Sequence, residues 1–295
     1  MIEKAVLLGK AKNLVGVVTE PRKIGQGKSR PAIILLNAGL IHRVGPNRIY
    51  VQIARRLAAS GCFALRLDLA GIGDSGNRTD KLSLKDGVIS DVKDAMDYLS
   101  VKEGIQQFIL VGICSGADNS LRIAQSDARV IGAVPIEAYY FATPGYHYYF
   151  YRRRLLNPKS WLRLVTMKSD FWRILKRYKI REKKSPTVNG PSKQIGLEAS
   201  RPLKAEIVSE IQNLLNRGVS LYFVYCVDSP SYYNHYLQLR YKATLWEKFR
   251  LRLFPDTDHT FTLLANQQSL VDSIHDWVQE VTQDSSSHDA CERAG

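Results

Sequence analysis

The feature that most restricts the fold of this chain is the stretch Val111-Gly112-Ile113-Cys114-Ser115-Gly116-Ala117. An apolar run from Phe108 to Val111 enters it, and a helix-compatible segment, Ser115 to Gln125, leaves it. Strand, sharp turn and helix follow one another within a few residues, so strand and helix must approach closely. Gly112 and Gly116, two positions either side of Cys114, supply the space. The spacing is that of the G-x-S-x-G turn that presents a nucleophile, with cysteine at the central position. Ser115 does not fit that position, because a shift by one residue puts Ile113 where a small residue is needed. Taken alone, the motif equally describes a small buried cysteine filling a core turn. The rest of the chain has to discriminate.

The first half alternates two kinds of segment. Leu14 to Thr19, Ala32 to Leu36, Cys62 to Leu69, Phe108 to Gly112 and Val130 to Ile136 read as strands. Asn47 to Ser60, opened by Pro46, Leu84 to Leu99 and Ser115 to Gln125 carry apolar residues at helical spacing. Strands alternating with helices predict an α/β fold, a mostly parallel central sheet flanked by helices. The alternation resumes later, with a helix over Ala205 to Arg217, strands over Ser220 to Val227 and Arg250 to Phe254, and a last helix over Gln267 to Val281.

Between these two parts the pattern breaks at Glu137. Tyr139 to Tyr151 is crowded with aromatic residues, and Trp161 to Ile180 reads as an amphipathic helix with one basic side. The net charge of +14 is concentrated here: from Arg152 to Lys204 there are sixteen Lys or Arg against Asp170, Glu182 and Glu198. The expected organisation is therefore a core of residues 1–136 and 205–282, a basic, aromatic-rich cap inserted at 137–204, and a disordered tail over 283–295.

Composition removes several classes. No apolar run is long enough to span a membrane and no signal-peptide pattern opens the chain, so a cytoplasmic location is the default. The four cysteines (Cys62, Cys114, Cys226, Cys291) show neither C-x-x-C pairing nor metal-ligand spacing, so no metal or other cofactor is expected. Cys62 and Cys226 lie in apolar strands and read as core. The basic segment lacks any recognition motif for nucleic acid.

Four motifs together resemble the α/β-hydrolase superfamily, across about residues 30 to 280. They are the Gly112 to Gly116 elbow, the turn Asp68-Leu69-Ala70-Gly71-Ile72-Gly73-Asp74-Ser75, the loop Asn37-Ala38-Gly39-Leu40 at a strand end, and Asp256-Thr257-Asp258-His259 after the last strand. The turn matches the D-x-x-G-x-G-x-S of that family; the loop matches its oxyanion loop in part, with Asn37-Ala38 where a His is usual. The run Asn37 to Pro46, with the Cys-Ser-Gly elbow and the Arg-rich insertion, is similar to a narrower group, the bacterial hydrolases encoded with exosortase and exopolysaccharide systems.

The resemblance implies an α/β-hydrolase fold with an inserted helical cap and a triad in the chain order nucleophile, acid, histidine: Cys114, Asp228 and His259. Asp228 is the carboxylate just past the strand Ser220 to Val227; as a turn residue before Pro230 it also has an ordinary structural role. Asp256 and Asp258 are weaker acids, being too near His259 in sequence to sit behind its ring. The oxyanion donors implied are the backbone N–H groups of Ser115 and Leu40. Asn37, His42, Tyr139 and His147 are candidate pocket residues, and His275 is expected at an exposed position on the last helix.

The chemistry implied is attack of a Cys114 thiolate on an ester or thioester, through an acyl-cysteine intermediate, on a small-molecule acyl substrate. Cysteine-elbow relatives of this fold include dienelactone hydrolases and also polyhydroxyalkanoate synthases and bile-acid acyltransferases. Acyl transfer from CoA or a carrier protein to an alcohol or amine is therefore the alternative. The basic cap reads as a solvated helix over a pocket, or more sharply as a dock for an acidic carrier protein, CoA or an anionic surface. A catalytically inactive binding protein of the same fold is the third reading.

Overall fold

The computed structural model describes residues 1–22, 30–138, 204–226 and 248–292. The chain divides into two units, Met1–Tyr140 with Lys204–Gly295, and Phe141–Leu203. The aromatic run, the amphipathic helix over Trp161 to Ile180 and the basic segment all fall outside the described residues, as do Tyr139, His147, Asp228 and His235.

Eight strands form one sheet: β1 (Ile2–Leu8), β2 (Leu14–Glu20), β3 (Ala32–Leu36), β4 (Ala64–Asp68), β5 (Phe108–Ile113), β6 (Val130–Ile136), β7 (Ser220–Cys226) and β8 (Arg250–Phe254). Their spatial order is β1-β2-β4-β3-β5-β6-β7-β8. β2 runs antiparallel to both β1 and β4, and every other pairing is parallel. The described helices are α1 (Ile49–Ala59), α2 (Leu84–Glu103), α3 (Ser115–Ser126), α4 (Lys204–Asn216) and α5 (Leu264–Glu292), with a short 3-10 turn, Pro46–Arg48, ahead of α1.

The central strands are continuous apolar runs because helices cover both faces. Every residue of β3 (Ala-Ile-Ile-Leu-Leu) and of β5 (Phe-Ile-Leu-Val-Gly-Ile) is buried. α1 turns Ile49, Ile53, Ala54 and Leu57 inward, and α5 contributes Leu270, Ile274, Trp277 and Val278 to the same core. α2 starts at Ser83, whose side chain accepts from the Asp86 N–H at 3.2 Å, and stops at Gly104, in the left-handed region at φ 70°.

Three elements differ from the sequence reading. β1 is an added edge strand whose first four residues are all exposed, so it lacks the apolar alternation that betrays a half-buried strand. α5 continues to Glu292, through the segment expected as a disordered tail; a helix already nucleated by packed residues extends at little cost. Glu137 and Ala138, assigned by sequence to the start of the insertion, belong to the core unit and are buried at 1% and 0% exposure.

The glycines of the elbow are sterically compelled. A Cβ on Gly112 would lie 2.1 Å from the carbonyl oxygen of Gly116, and a Cβ on Gly116 would lie 2.7 Å from the carbonyl oxygen of Asn37. β5, the start of α3 and the end of β3 therefore touch backbone to backbone. Gly112→Ala is expected to cost about 3 kcal/mol or to prevent folding, because neither contact can relax by a rotamer change. Gly104→Ala, where nothing lies within 4 Å of the added carbon, is expected to cost only the ~1 kcal/mol of a left-handed alanine. Thermal denaturation of the two variants checks the difference.

Candidate active site

The site gathers at the carboxyl ends of β3, β5, β6 and β8. Cys114 is the residue between β5 and α3, with φ 57° and ψ −118°. A side-chain-bearing residue rarely occupies this region, and it holds here because the surroundings over-determine it. The Cys114 N–H donates to the Ile136 carbonyl at 2.9 Å, and the Cys114 carbonyl accepts from Ala117 at 2.9 Å. The thiol is thus raised off the sheet at the first turn of α3, where unpaired N–H groups and the helix dipole favour an anion.

Beneath the elbow, Tyr50 is fully buried. Its hydroxyl donates to the Leu36 carbonyl at 2.8 Å and accepts from the Ile113 N–H at 2.9 Å. One phenol therefore joins the end of β3 to the end of β5, and burial pushes its ionisation far above the ordinary tyrosine range. Gly45 is required by this ring, since a Cβ there would lie 2.7 Å from it.

The loop after β3 is shaped by the Asp68 turn. The Asp68 carboxylate is fully buried and accepts from Asn37 Nδ2 at 3.0 Å, from the Arg43 N–H at 2.6 Å and from the Arg43 guanidinium. It fills the turn so completely that a Cβ on Gly73 would meet its Oδ2 at 2.2 Å. Ser75 Oγ closes the turn, donating to the Asp68 carbonyl at 2.6 Å and accepting from the Val15 N–H at 2.8 Å.

Asn37 takes the position where a pocket residue was expected, but it is 1% exposed. Its amide holds Ile41 O at 2.9 Å and the Leu69 N–H at 2.8 Å as well as Asp68. It ties the loop to the turn instead of facing a ligand. The loop amide that reaches the elbow is that of Gly39, whose N–H donates to Ser115 Oγ at 2.8 Å. Leu40, expected to carry the second oxyanion donor, is one residue further on, with its side chain exposed.

His42 lies at the mouth with Asp74 Oδ2 at 3.3 Å. His42, Asp68 and Asp74 offer ligand atoms within 4.8 Å of one another. Arg43 already occupies that place, its Nη1 bonding both carboxylates and lying 2.8 Å from His42 Nε2. The donor set is satisfied by an internal cation, and a metal would have to displace a largely buried guanidinium.

His259 stands on the loop after β8. Asp258 shapes that loop, its carboxylate accepting from Thr260 Oγ1 at 2.5 Å and from the Thr262 N–H at 2.7 Å. Burial works against its charge, but these bonds prevail and hold it down to about 2. Asn47 Nδ2 steadies the same loop from the other side, donating to the Thr260 carbonyl at 3.1 Å. Cys114 is near enough to the His259 ring to act on its charge, and Glu137 Oε2 lies 3.4 Å from its Nδ1. The Cys114 contact first, and Glu137 second, push the imidazole up to about 10 against the opposing effect of burial.

Of the residues picked out by sequence, Cys114, Ser115 and His259 are therefore brought together, with Gly39 of the loop against Ser115 and His42 beside Asp74. Asp228 lies outside the described residues. Glu137, which no motif signalled, is fully withdrawn from solvent in its side chain and stands behind His259. The available signal was a lone acid closing the apolar strand Val-Ile-Gly-Ala-Val-Pro-Ile. Cys62 and Cys226 are core residues as read, and burial raises both thiols. His275 is less open than expected, at 14% side-chain exposure.

No family model matches the chain, and no curated protein matches it. Solved structures do. An esterase from Pyrococcus furiosus superposes with a TM-score of 0.58 at 13% identity, over 95% of this chain and 92% of that one. Est1E from Butyrivibrio proteoclasticus gives 0.54 at 10% identity, over 94% and 98%. An alpha-beta serine hydrolase homologue from Coxiella burnetii gives 0.53 at 11% identity, over 94% and 95%. At such identities the likeness is one of fold: this chain has the α/β-hydrolase fold.

Two outcomes follow from the geometry. Iodoacetamide should label Cys114 at neutral pH at least ~10-fold faster than Cys62 or Cys226, whose thiols are buried and raised, and His259→Asn should slow it; peptide mass spectrometry reads each site. His259 is also a source of pH-dependent stability. Its folded value of about 10 exceeds the unfolded value of about 6.5. Its contribution is complete below pH ~6.5 and is lost as pH rises through about 10. The melting temperature of the native chain should thus fall more steeply between pH 7 and 10 than that of His259→Asn.

Proposed function

We propose that this protein is a cysteine-dependent hydrolase of esters or thioesters, working through an acyl-Cys114 intermediate. The observation that carries the reading is Cys114 itself, held at φ 57° on the first turn of α3 and near enough to His259 to act on the charge of its ring. An esterase among the solved structures of this fold supports ester hydrolysis as the class of reaction.

In this mechanism His259 takes the Cys114 thiol proton onto its Nε2. The Cys114 sulfur attacks the acyl carbon, and the carbonyl π electrons move to oxygen. The N–H groups of Ser115 and Gly39 receive that oxyanion, Gly39 exchanging its bond to Ser115 Oγ for one to substrate. His259 gives its Nε2 proton to the departing alkoxide or thiolate, which leaves an acyl thioester on Cys114. His259, now neutral, takes a proton from water as the water oxygen attacks the thioester. Collapse of the second oxyanion expels Cys114 as thiolate, the carboxylic acid leaves, and the ion pair is restored. All these steps use groups of the chain and water.

A second reading is acyl transfer, with an alcohol or amine in place of water. It is favoured by cysteine at the elbow, because exchange between a thioester donor and a thiolate is nearly thermoneutral. An acidic donor, CoA or a carrier protein, suits the sixteen basic residues between Arg152 and Lys204.

Intact-mass spectrometry with p-nitrophenyl acetate and acetyl-CoA tests both. An acetyl adduct on Cys114, absent from Cys114→Ala, supports the cysteine mechanism; turnover by Cys114→Ala within ~10-fold of the native rate overturns it. An adduct that water clears slowly and an added alcohol or amine clears quickly selects transfer.

A further inference from the structure

We infer that the carboxylate serving His259 is Glu137 at the end of β6, and that the acid after β7, Asp228, has no part in the reaction. The inference rests on the proposed Cys114–His259 chemistry and names its positioning residue.

The register of the sheet makes the case. β6 pairs with β7 in parallel through Ile136 and Val224. Glu137 extends this ladder by one bond, its N–H donating to the Val224 carbonyl at 2.9 Å. Its backbone then turns to φ 58°, a left-handed conformation that a glutamate adopts only under constraint. The turn sends the side chain sideways across β7. Oε1 accepts the N–H of Cys226, the last residue of that strand, and Oε2 faces His259 Nδ1 at 3.4 Å. A carboxylate that belongs by sequence to β6 is thus delivered to the end of β7, where a residue following β7 would otherwise deliver its own.

The chemistry of the place admits one acid. Nδ1 carries a single proton and so donates one strong hydrogen bond. A second carboxylate at the same nitrogen would face the fully buried Glu137 side chain at short range, and like charges there oppose each other's ionisation. A buried carboxylate also needs partners. Glu137 has a backbone N–H and the imidazole, which is the arrangement that fixes a ring tautomer and stabilises its charged form. The 3.4 Å separation is long for a resting hydrogen bond, and such contacts shorten when a substrate is bound.

Isosteric Glu137→Gln supplies the test. Its carbonyl can still accept the Cys226 N–H, but its NH₂ then faces Nδ1 and forces that nitrogen to act as an acceptor. The proton moves to Nε2, and His259 can no longer draw one from Cys114. Iodoacetamide labelling of Cys114 at pH 7 should slow by about 100-fold or more in Glu137→Gln, with kcat for p-nitrophenyl acetate falling and KM little changed. Asp228→Asn should label at the native rate.

Proton NMR of the same three proteins gives a readout independent of substrate. A far-downfield imidazole N–H signal, absent from His259→Asn, should be lost in Glu137→Gln and kept in Asp228→Asn. Loss of signal and labelling in Asp228→Asn, with both kept in Glu137→Gln, overturns the inference while leaving the cysteine mechanism standing. If Glu137→Gln fails to fold, Asp228→Asn alone decides: native behaviour supports Glu137, and a lost signal excludes it. Slow labelling of Cys114 in the native chain tells against the mechanism, and the NMR arm still reads which carboxylate holds the ring.

Discussion

The contact of Gly112 with Gly116 supports everything else in this site. Two backbones lie so close that a methyl group on Gly112 would fall 2.1 Å from the Gly116 carbonyl oxygen. That approach turns the chain sharply enough to leave Cys114 at a positive φ, with its thiol above the sheet and at the positive end of α3. A larger residue at Gly112 would push β5 away from α3, and one at Gly116 would push α3 away from the end of β3. The other two described cysteines, Cys62 and Cys226, lie in the core, where burial raises their thiols.

Around that contact, polar groups perform tasks that apolar packing cannot. Packing fixes where elements lie, whereas buried hydrogen bonds fix which way particular atoms point. Tyr50 joins β3 to β5 by one hydroxyl, and Asp68 joins the loop after β3 to the turn after β4. Asn37 occupies the place of the family's usual histidine and satisfies the loop with two donors and one acceptor, a capacity well matched to a primary amide. The cost of leaving any of these buried groups unpaired gives the site its rigidity. Glu137 extends the same logic to β6 and β7, since one carboxylate satisfies the last amide of β7 and also faces the histidine ring.

The elements that sequence reading recovered share a physical origin. β3 and β5 are buried on both faces and so read as unbroken apolar runs, while α1 and α3 show a period because only one face of each is covered. Cys114 and His259 stood out because of their local settings: glycines at fixed spacing around one, and a turn after the last strand for the other. β1 escaped because most of its side chains face water, and the extension of α5 escaped because a helix can be propagated by its packed portion.

Glu137 and Gly39 mark the boundary between the two kinds of information. The sequence by itself determined the layered α/β arrangement, the cysteine at the elbow and the histidine after β8, since each follows from local periodicity or from residues a few positions apart. It could not determine which amide of the loop faces the elbow, or that an acid on β6 stands behind a histidine 122 residues away. Those depend on strand register and on the buried bonds of Asn37, Asp68 and Cys226. Register and bond direction arise only when distant segments are packed together, so the tertiary structure alone decided them.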